Sequence, residues 1–288
     1  MNPITESPTQ TPARTRAERV PPSDGVGALR KTVVSVKGVR LACWVGGRGP
    51  HLLMLHGFTL SHRQWDGLAA ELMHSHTVVV ADHPGHGDSE GLPGPFSLRR
   101  NAELFAGLMD ELGATRFSGI GHSAGAMTLL HLAARQPQRL ASMVMIAGAH
   151  RLSRRGRELA QVDRPELGPV EYQTLLGEIH PGGAGQIERI FEQFRGFHAN
   201  HDDFAFSPER LQEITTRTLL VWGDRDDYFP IEFGLELLRS MPNAELMVCP
   251  GQGHVPLWPT LGGDDVVASV FPRIAQRFLS GPAAPAGR

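Results

Sequence analysis

Gly121-His122-Ser123-Ala124-Gly125 puts a serine between two glycines, where a short apolar run gives way to a helical pattern. A serine hydroxyl is a weak nucleophile until a base takes its proton. It acts best when a sharp strand-to-helix turn thrusts it out beside free amide N–H groups. Glycine on each side removes the Cβ atoms that would crowd such a turn. The run from Arg116 to Ile120 reads as a strand, and Met127, Leu129, Leu130, Leu132 and Ala133 read as the buried face of a helix. That context favours a nucleophile elbow over a glycine-rich turn that only packs a helix on a strand.

The chain has 14 histidines, so residue type alone does not choose a base. Position does. His254 lies in Pro250-Gly251-Gln252-Gly253-His254-Val255-Pro256, a glycine-rich loop just after the last strand-like run. In an open α/β sheet the loops at the carboxyl ends of the strands meet at one crevice, so Ser123 and His254 are expected there together. A carboxylate should orient the imidazole. Gly223-Asp224-Arg225-Asp226-Asp227-Tyr228-Phe229-Pro230 supplies three candidates after another strand. Two of them are expected to be solvated, turn-forming residues, and the pattern alone leaves the choice among them open. Ala147-Gly148-Ala149-His150 holds no carboxylate.

A developing oxyanion needs two N–H donors. The N–H of Ala124 is one candidate. The other is the N–H of Phe58 in His56-Gly57-Phe58-Thr59, where Gly57 lets the backbone turn close to a ligand. The Phe58 side chain and His122 are the candidate substrate-binding groups, and His56 is read as a prop for the loop. Asp82-His83-Pro84-Gly85-His86-Gly87-Asp88-Ser89 is rich in ligand types, but its glycines and proline read as a tight loop tied to its own backbone. No metal and no cofactor are expected.

These loops need a scaffold. Thr32–Val36 and Val39–Val45 are β-like and joined by Lys37-Gly38, a hairpin pattern. His51–Leu55, Thr77–Ala81, Arg116–Ile120, Leu140–Ile146, Arg217–Trp222 and Ala244–Cys249 are apolar runs with little alternation. Helical patterns fall near 65–72, 97–112, 124–136 and 264–279. Unalternating strands separated by amphipathic helices require a mostly parallel sheet covered on both faces. Between 150 and 213 the strands stop. Helical signals at Val170–Ile179 and Gln186–Phe197 mark an inserted cap. Leu175, Leu176, Ile179, Ile190, Phe191, Phe194 and Phe197 are its apolar candidates, mostly as anchors for the cap helices. His180, His198 and His201 are read as surface or loop residues. The fold class expected is therefore α/β, an open mostly parallel sheet with helices on both faces and an inserted helical cap. Its segments are a tail over 1–30, a core over 31–149 and 214–280, a cap over 150–213 and a frayed end over 281–288.

Composition bounds the partners. The 288 residues carry 28 basic and 30 acidic side chains, a formal charge of −2, which attracts neither nucleic acid nor an anionic membrane. Arg151, Arg154, Arg155 and Arg157 form a local cluster that reads as a solvated helix face. Two cysteines, Cys43 and Cys249, are too few for a disulfide framework and are expected as reduced, strand-embedded thiols. No apolar run is long enough for a transmembrane helix, and the first 27 residues lack the apolar core of a signal peptide. A cytoplasmic location and a small-molecule partner follow as expectations. Oligomeric state is not addressed by the sequence.

Taken together, His56-Gly57-Phe58, the 82–89 loop, the elbow at Ser123, Gly223-Asp224-Arg225-Asp226 and Gly253-His254 resemble the α/β-hydrolase superfamily, in its order, from about 33 to 279. The resemblance implies that the acid is Asp226, the last residue of the G-x-x-D pattern. It also implies a cap over the site. Similar enzymes that open epoxides or remove halides carry aspartate at the elbow, so serine there disfavours those chemistries. The expected activity is hydrolysis of a carboxylic ester through an acyl-enzyme, with Ser123, His254 and Asp226 as the triad. Carbon–carbon bond hydrolysis, acyl transfer and perhydrolysis by the same triad are the alternatives, and a non-catalytic small-ligand receptor is the competing class.

Overall fold

The computed structural model describes residues 28–281. Most of the expected N-terminal and C-terminal tails therefore lies outside the described residues. The chain enters through β1 (Arg30–Val36) and β2 (Val39–Gly47), paired antiparallel. Lys37 and Gly38 between them both have positive φ, 51° and 83°. Such a two-residue turn has a twist that matches the strands it joins.

Six further strands complete one sheet: β3 (His51–Leu55), β4 (Thr77–Ala81), β5 (Phe117–His122), β6 (Leu140–Ile146), β7 (Arg217–Gly223) and β8 (Ala244–Cys249). The order is β1-β2-β4-β3-β5-β6-β7-β8. From β4 to β8 every pairing is parallel, and β2 runs antiparallel to both of its neighbours.

Nine α-helices flank these strands among the described residues: α1 (Asp66–Leu72), α2 (Leu98–Glu111), α3 (Ala124–Arg135), α4 (Arg154–Val162), α5 (Val170–Ile179), α6 (Gly183–Arg195), α7 (Pro208–Gln212), α8 (Ile231–Ser240) and α9 (Asp265–Ser280). The lack of alternation in the strands has a direct cause. Leu53 and Leu55 of β3 pack with α2, α3 and α8 on one face, while Leu52 and Met54 pack with α1 and α9 on the other. Both faces are covered, so successive residues, which point to opposite faces, are all apolar.

α4 to α7 all lie between β6 and β7 and form the inserted helical cap. α5 has the bounds read from its sequence pattern. α6 begins earlier than the pattern at Gln186 and stops at Arg195, and a 3-10 turn carries the chain through Phe197. The arginine cluster needs correcting in part. Arg154 and Arg155 are exposed, but Arg151 pairs with Glu236 at 2.6 Å. Arg157 donates to the carbonyls of Phe197, His198 and Asn200, bracing the 3-10 turn that follows α6.

α8 escaped the sequence reading. Its signal is Pro230 at the N-cap followed by Phe233 and Leu237, four apart and both buried. Gly234 masks the pattern, and the reason lies on β7: a Cβ there would press on the Trp222 ring at 3.1 Å.

Cys43 and Cys249 are both buried and free. They sit on β2 and β8, six strand positions apart in the sheet, roughly 29 Å at the usual interstrand spacing. They cannot pair with each other. Burial pushes the Cys43 thiol up to about 12 and Cys249 to about 11. Among the described residues no helix is long and apolar enough to cross a membrane.

Candidate active site

Ser123 joins β5 directly to α3, with φ 50° and ψ −114°. A non-glycine residue there is strained. Its N–H is held by the Ile146 carbonyl at 2.8 Å, and its own carbonyl caps Met127 N at 2.9 Å. The flanking glycines are required by contact. A Cβ on Gly121 would collide with the Gly125 backbone, and one on Gly125 with the Leu55 carbonyl. The serine is 8% exposed, and that surface faces the cavity described below.

His254 and Asp226 reach it from the loops after β8 and β7. His254 Nε2 lies 3.0 Å from Ser123 Oγ, and His254 Nδ1 lies 2.8 Å from Asp226 Oδ2. A carboxylate only accepts, so Nδ1 carries the proton and Nε2 is free to accept from the hydroxyl. The other Asp226 oxygen takes the N–H groups of Tyr228 and Phe229, each at 2.9 Å. The buried acid is thereby fixed in orientation. Asp224 and Asp227 are exposed. Asp224 accepts Gly251 N–H at 2.6 Å and clips the His254 loop to the β7 loop. Of the three aspartates, the structure brings only Asp226 to the imidazole.

Ala124 is the first residue of α3, and N–H groups of a first helical turn have no partner within the helix. The Phe58 N–H is set by the peptide that contains it. The Gly57 carbonyl of that peptide accepts from His56 Nδ1 at 2.7 Å and from Leu60 N at 3.2 Å. In a trans peptide the N–H points opposite to the C=O, so His56 fixes the direction of the Phe58 amide. The Phe58 ring packs edge-on to Phe96 and Phe197 and forms cavity wall.

His122 lines the cavity, but both of its ring nitrogens are engaged. Nε2 donates to the His254 carbonyl at 2.9 Å, and Nδ1 accepts from Gln64 Nε2 at 2.9 Å. What it offers a ligand is ring surface. Burial lowers its pKa to about 3. Gln64 also accepts Gly57 N–H at 2.8 Å through Oε1. One amide thus ties the Phe58 loop to the residue before the serine, and through it to His254. Gln64 lies in a polar stretch with no motif, so nothing in the sequence singled it out.

His180 corrects the sequence reading. It is fully buried, whereas His198 and His201 are exposed as expected. His180 Nε2 donates to the Thr59 carbonyl at 2.9 Å, and Nδ1 accepts Gly87 N–H at 3.1 Å. Tyr172 of α5 adds a hydroxyl pair with Thr59 Oγ1 at 2.5 Å. Thr59 has φ 68°, so two cap side chains hold a strained residue next to Phe58. The 82–89 loop is tied up as its composition implied. Asp82 accepts from His62 N at 2.6 Å and Asp88 N at 2.9 Å, and Ser89 donates to the Asp82 carbonyl at 2.9 Å.

Between this array and the cap lies a cavity of about 760 Å³. Its walls are mainly apolar, with Met127, Leu152, Phe194, Phe197 and Phe204 among them, and Ser123 and His254 open into it. No lysine or arginine lines it among the described residues; its charged side chains are Asp163 and Glu171. An apolar chamber into which a serine and an imidazole open can hold a carbonyl compound and move a proton to and from it.

Comparison with known proteins agrees with this arrangement. Residues 50–168 match a family model described as alpha/beta hydrolase fold. A 2-hydroxy-6-oxo-6-phenylhexa-2,4-dienoate hydrolase of Burkholderia cepacia is 26% identical over 263 residues, covering 81% of this chain and 89% of that protein. A bacterial membrane phospholipase A superposes with TM-score 0.72 at 24% identity, over 88% of this chain and 86% of the other. A 2-hydroxy-6-oxo-6-phenylhexa-2,4-dienoate hydrolase from a Rhodococcus species superposes with TM-score 0.72 at 20% identity, over 87% and 98%. The family match and the shared folds agree with the strained serine turn after β5 and the cap after β6, and on these grounds the chain is an enzyme with the α/β-hydrolase fold.

Proposed function

We propose that the chain is a serine hydrolase that breaks the carbon–carbon bond beside a substrate ketone. The observation that supports serine chemistry is the unbroken sequence Ser123–His254–Asp226, with separations of 3.0 and 2.8 Å, opening into an apolar chamber. Ser123 Oγ adds to the carbonyl carbon while His254 Nε2 takes its proton. Asp226 holds the imidazole and stabilises its cation. The Phe58 and Ala124 N–H groups receive the oxyanion. The carbon–carbon bond then breaks, and His254 returns the proton to the departing carbon. Water, deprotonated by His254, releases the acyl group from Ser123. The sum is one water added across one bond. Residues 150–213 act as the cap that shapes the substrate chamber.

The choice of bond rests on the relatives. A 2-hydroxy-6-oxo-6-phenylhexa-2,4-dienoate contains no ester or amide, so a hydrolase for it breaks a carbon–carbon bond. That weighs against the plain carboxylesterase expected from the sequence alone. Ester hydrolysis stays as a second reading because of one feature of the chamber. Among the described residues it has no lysine or arginine to hold a dienoate carboxylate or to stabilise the electron pair left on carbon. An ester expels an alkoxide that needs no such group.

The test supplies that dienoate and 4-nitrophenyl butyrate to wild type and to Ser123→Ala. Loss of dienoate absorbance by wild type alone supports the carbon–carbon reading. Turnover of the ester alone, again lost in Ser123→Ala, moves the assignment to an esterase. Equal turnover by wild type and Ser123→Ala would sink both.

A further inference from the structure

The cap brings Asp163 and Tyr172 to the chamber, whose other side is the core with Ser123 and His254. Tyr228 spans the two regions. Its ring is 5.1 Å from the His254 ring and 6.4 Å from Phe194, and its hydroxyl donates to Asp163 Oδ2 at 3.5 Å. Tyr172, Asp163 and Tyr228 all face the chamber. Arg195 of α6 is a cation close by. It donates to the Asp163 backbone carbonyl at 3.5 Å while its other nitrogen pairs with Glu188 at 2.8 Å, and it is not a lining residue.

A carboxylate has about four lone-pair positions. Asp163 fills one through Tyr228 and another through the Arg164 backbone N–H. Asp163 is half-buried and lines the chamber, so the remaining positions are open to a ligand there. Burial accordingly raises its pKa. A ligand that brings a donor would complete its shell. A ligand that brings a carboxylate would meet like charge from Asp163 and Glu171.

We propose that Asp163, with Tyr172 and Tyr228, is a specificity-determining subsite on the cap side of the chamber that accepts a hydrogen-bond-donating group of the substrate, a hydroxyl or an ammonium, and rejects a carboxylate there. This rests on the reading that Ser123 acts on a carbonyl held in the same chamber, whichever bond breaks. It separates the chain's preferred substrate from a dienoate that would place its carboxylate under the cap.

Two measurements test it. Wild type and Asp163→Asn are given 4-nitrophenyl esters of hexanoate, 6-hydroxyhexanoate, 6-aminohexanoate and mono-adipate. In wild type, kcat/KM for mono-adipate should fall about tenfold or more below hexanoate, a modest effect for like charges at a partly buried site. The hydroxyl and amino esters should equal or exceed hexanoate. Asp163→Asn should raise the adipate-to-hexanoate ratio about tenfold. The second measurement needs no turnover: calorimetric binding of 2-octanone, 8-hydroxy-2-octanone and 7-oxooctanoate to Ser123→Ala, with and without Asp163→Asn. The same order of preference is expected. Wild type that accepts mono-adipate as readily as hexanoate, or an unchanged ratio in Asp163→Asn, overturns the subsite. Absence of Ser123-dependent turnover while the binding preference persists would overturn the catalytic reading and leave the subsite standing.

Discussion

His122 Nε2 donates to the backbone carbonyl of His254 across 2.9 Å, although 132 residues separate them in sequence. The residue before the serine therefore holds the loop that carries the imidazole. Gln64 continues the connection to the Gly57 amide, and a Cβ on Gly57 would strike the His122 ring. The serine turn, the imidazole loop and the Phe58 loop form one hydrogen-bonded unit.

His122→Phe fills similar space but leaves the His254 carbonyl and the Gln64 amide without partners. Turnover should fall by roughly a hundredfold if the imidazole drifts by about an ångström, with KM little changed because the cavity walls remain. Steady-state kinetics of wild type and variant check this. A variant that changes KM and not kcat would make His122 a substrate contact instead.

Only one of three neighbouring aspartates touches the imidazole, and the variants should show it. Asp226→Asn replaces the acceptor with an amide and favours the wrong imidazole tautomer, with an expected loss of about 10⁴ in kcat by analogy with other triads. Asp224→Asn keeps an oxygen for Gly251 N–H and should stay within roughly threefold of wild type, in line with loss of no more than a surface interaction. Equal losses in both would remove Asp226 from its assigned place.

The strained Thr59 backbone should depend on the cap. His180→Phe strips a donor from the Thr59 carbonyl and an acceptor from Gly87 N–H, each a buried group costing about 1–3 kcal/mol when left unpaired. His180→Gln can restore one donor and one acceptor. The expectation is lower stability and lower kcat in His180→Phe, with partial recovery of both in His180→Gln. Urea melts beside single-substrate kinetics would reveal a failure of the two quantities to recover together.

Acid should unfold the protein well before its carboxylates protonate. Histidine in the unfolded chain titrates near 6.5. Burial lowers His83 and His122 to about 3 in the fold and pushes His56, His86 and His180 down as well. The unfolded state therefore binds more protons across that window. Stability from these neutral rings is fully present above about 6.5 and is lost as pH falls from there toward 3, by up to about 1.4 kcal/mol per pH unit for each ring. Urea midpoints at pH 8, 7, 6 and 5 should be level over the first pair and drop steeply over the second. A flat series to pH 5 would contradict the buried neutral cluster.

Much of this was written locally in the chain. The glycines around Ser123 declare a turn that only they can pack, since the clashes they avoid come from residues within that turn and from β3. Strand and helix periods declared the sheet because burial on two faces leaves no exposed position in a strand such as β5, buried at all six residues. That the serine, aspartate and histidine loops meet followed from strand ends that face one edge. What the tertiary structure decided was which side chains meet, although position had already pointed to His254 and the resemblance to Asp226. Asp226 is selected over Asp224 and Asp227 by a ring arriving from 28 positions on. His180 looked like any loop histidine until Thr59, 121 positions away, was found against it. Gln64, Tyr172 and Asp163 carry no motif, because a side chain that bridges distant loops is specified by where those loops meet. Steric and periodic signals act between neighbours and are legible in sequence, whereas hydrogen-bond partners and cavity walls exist only once the chain has brought remote segments together.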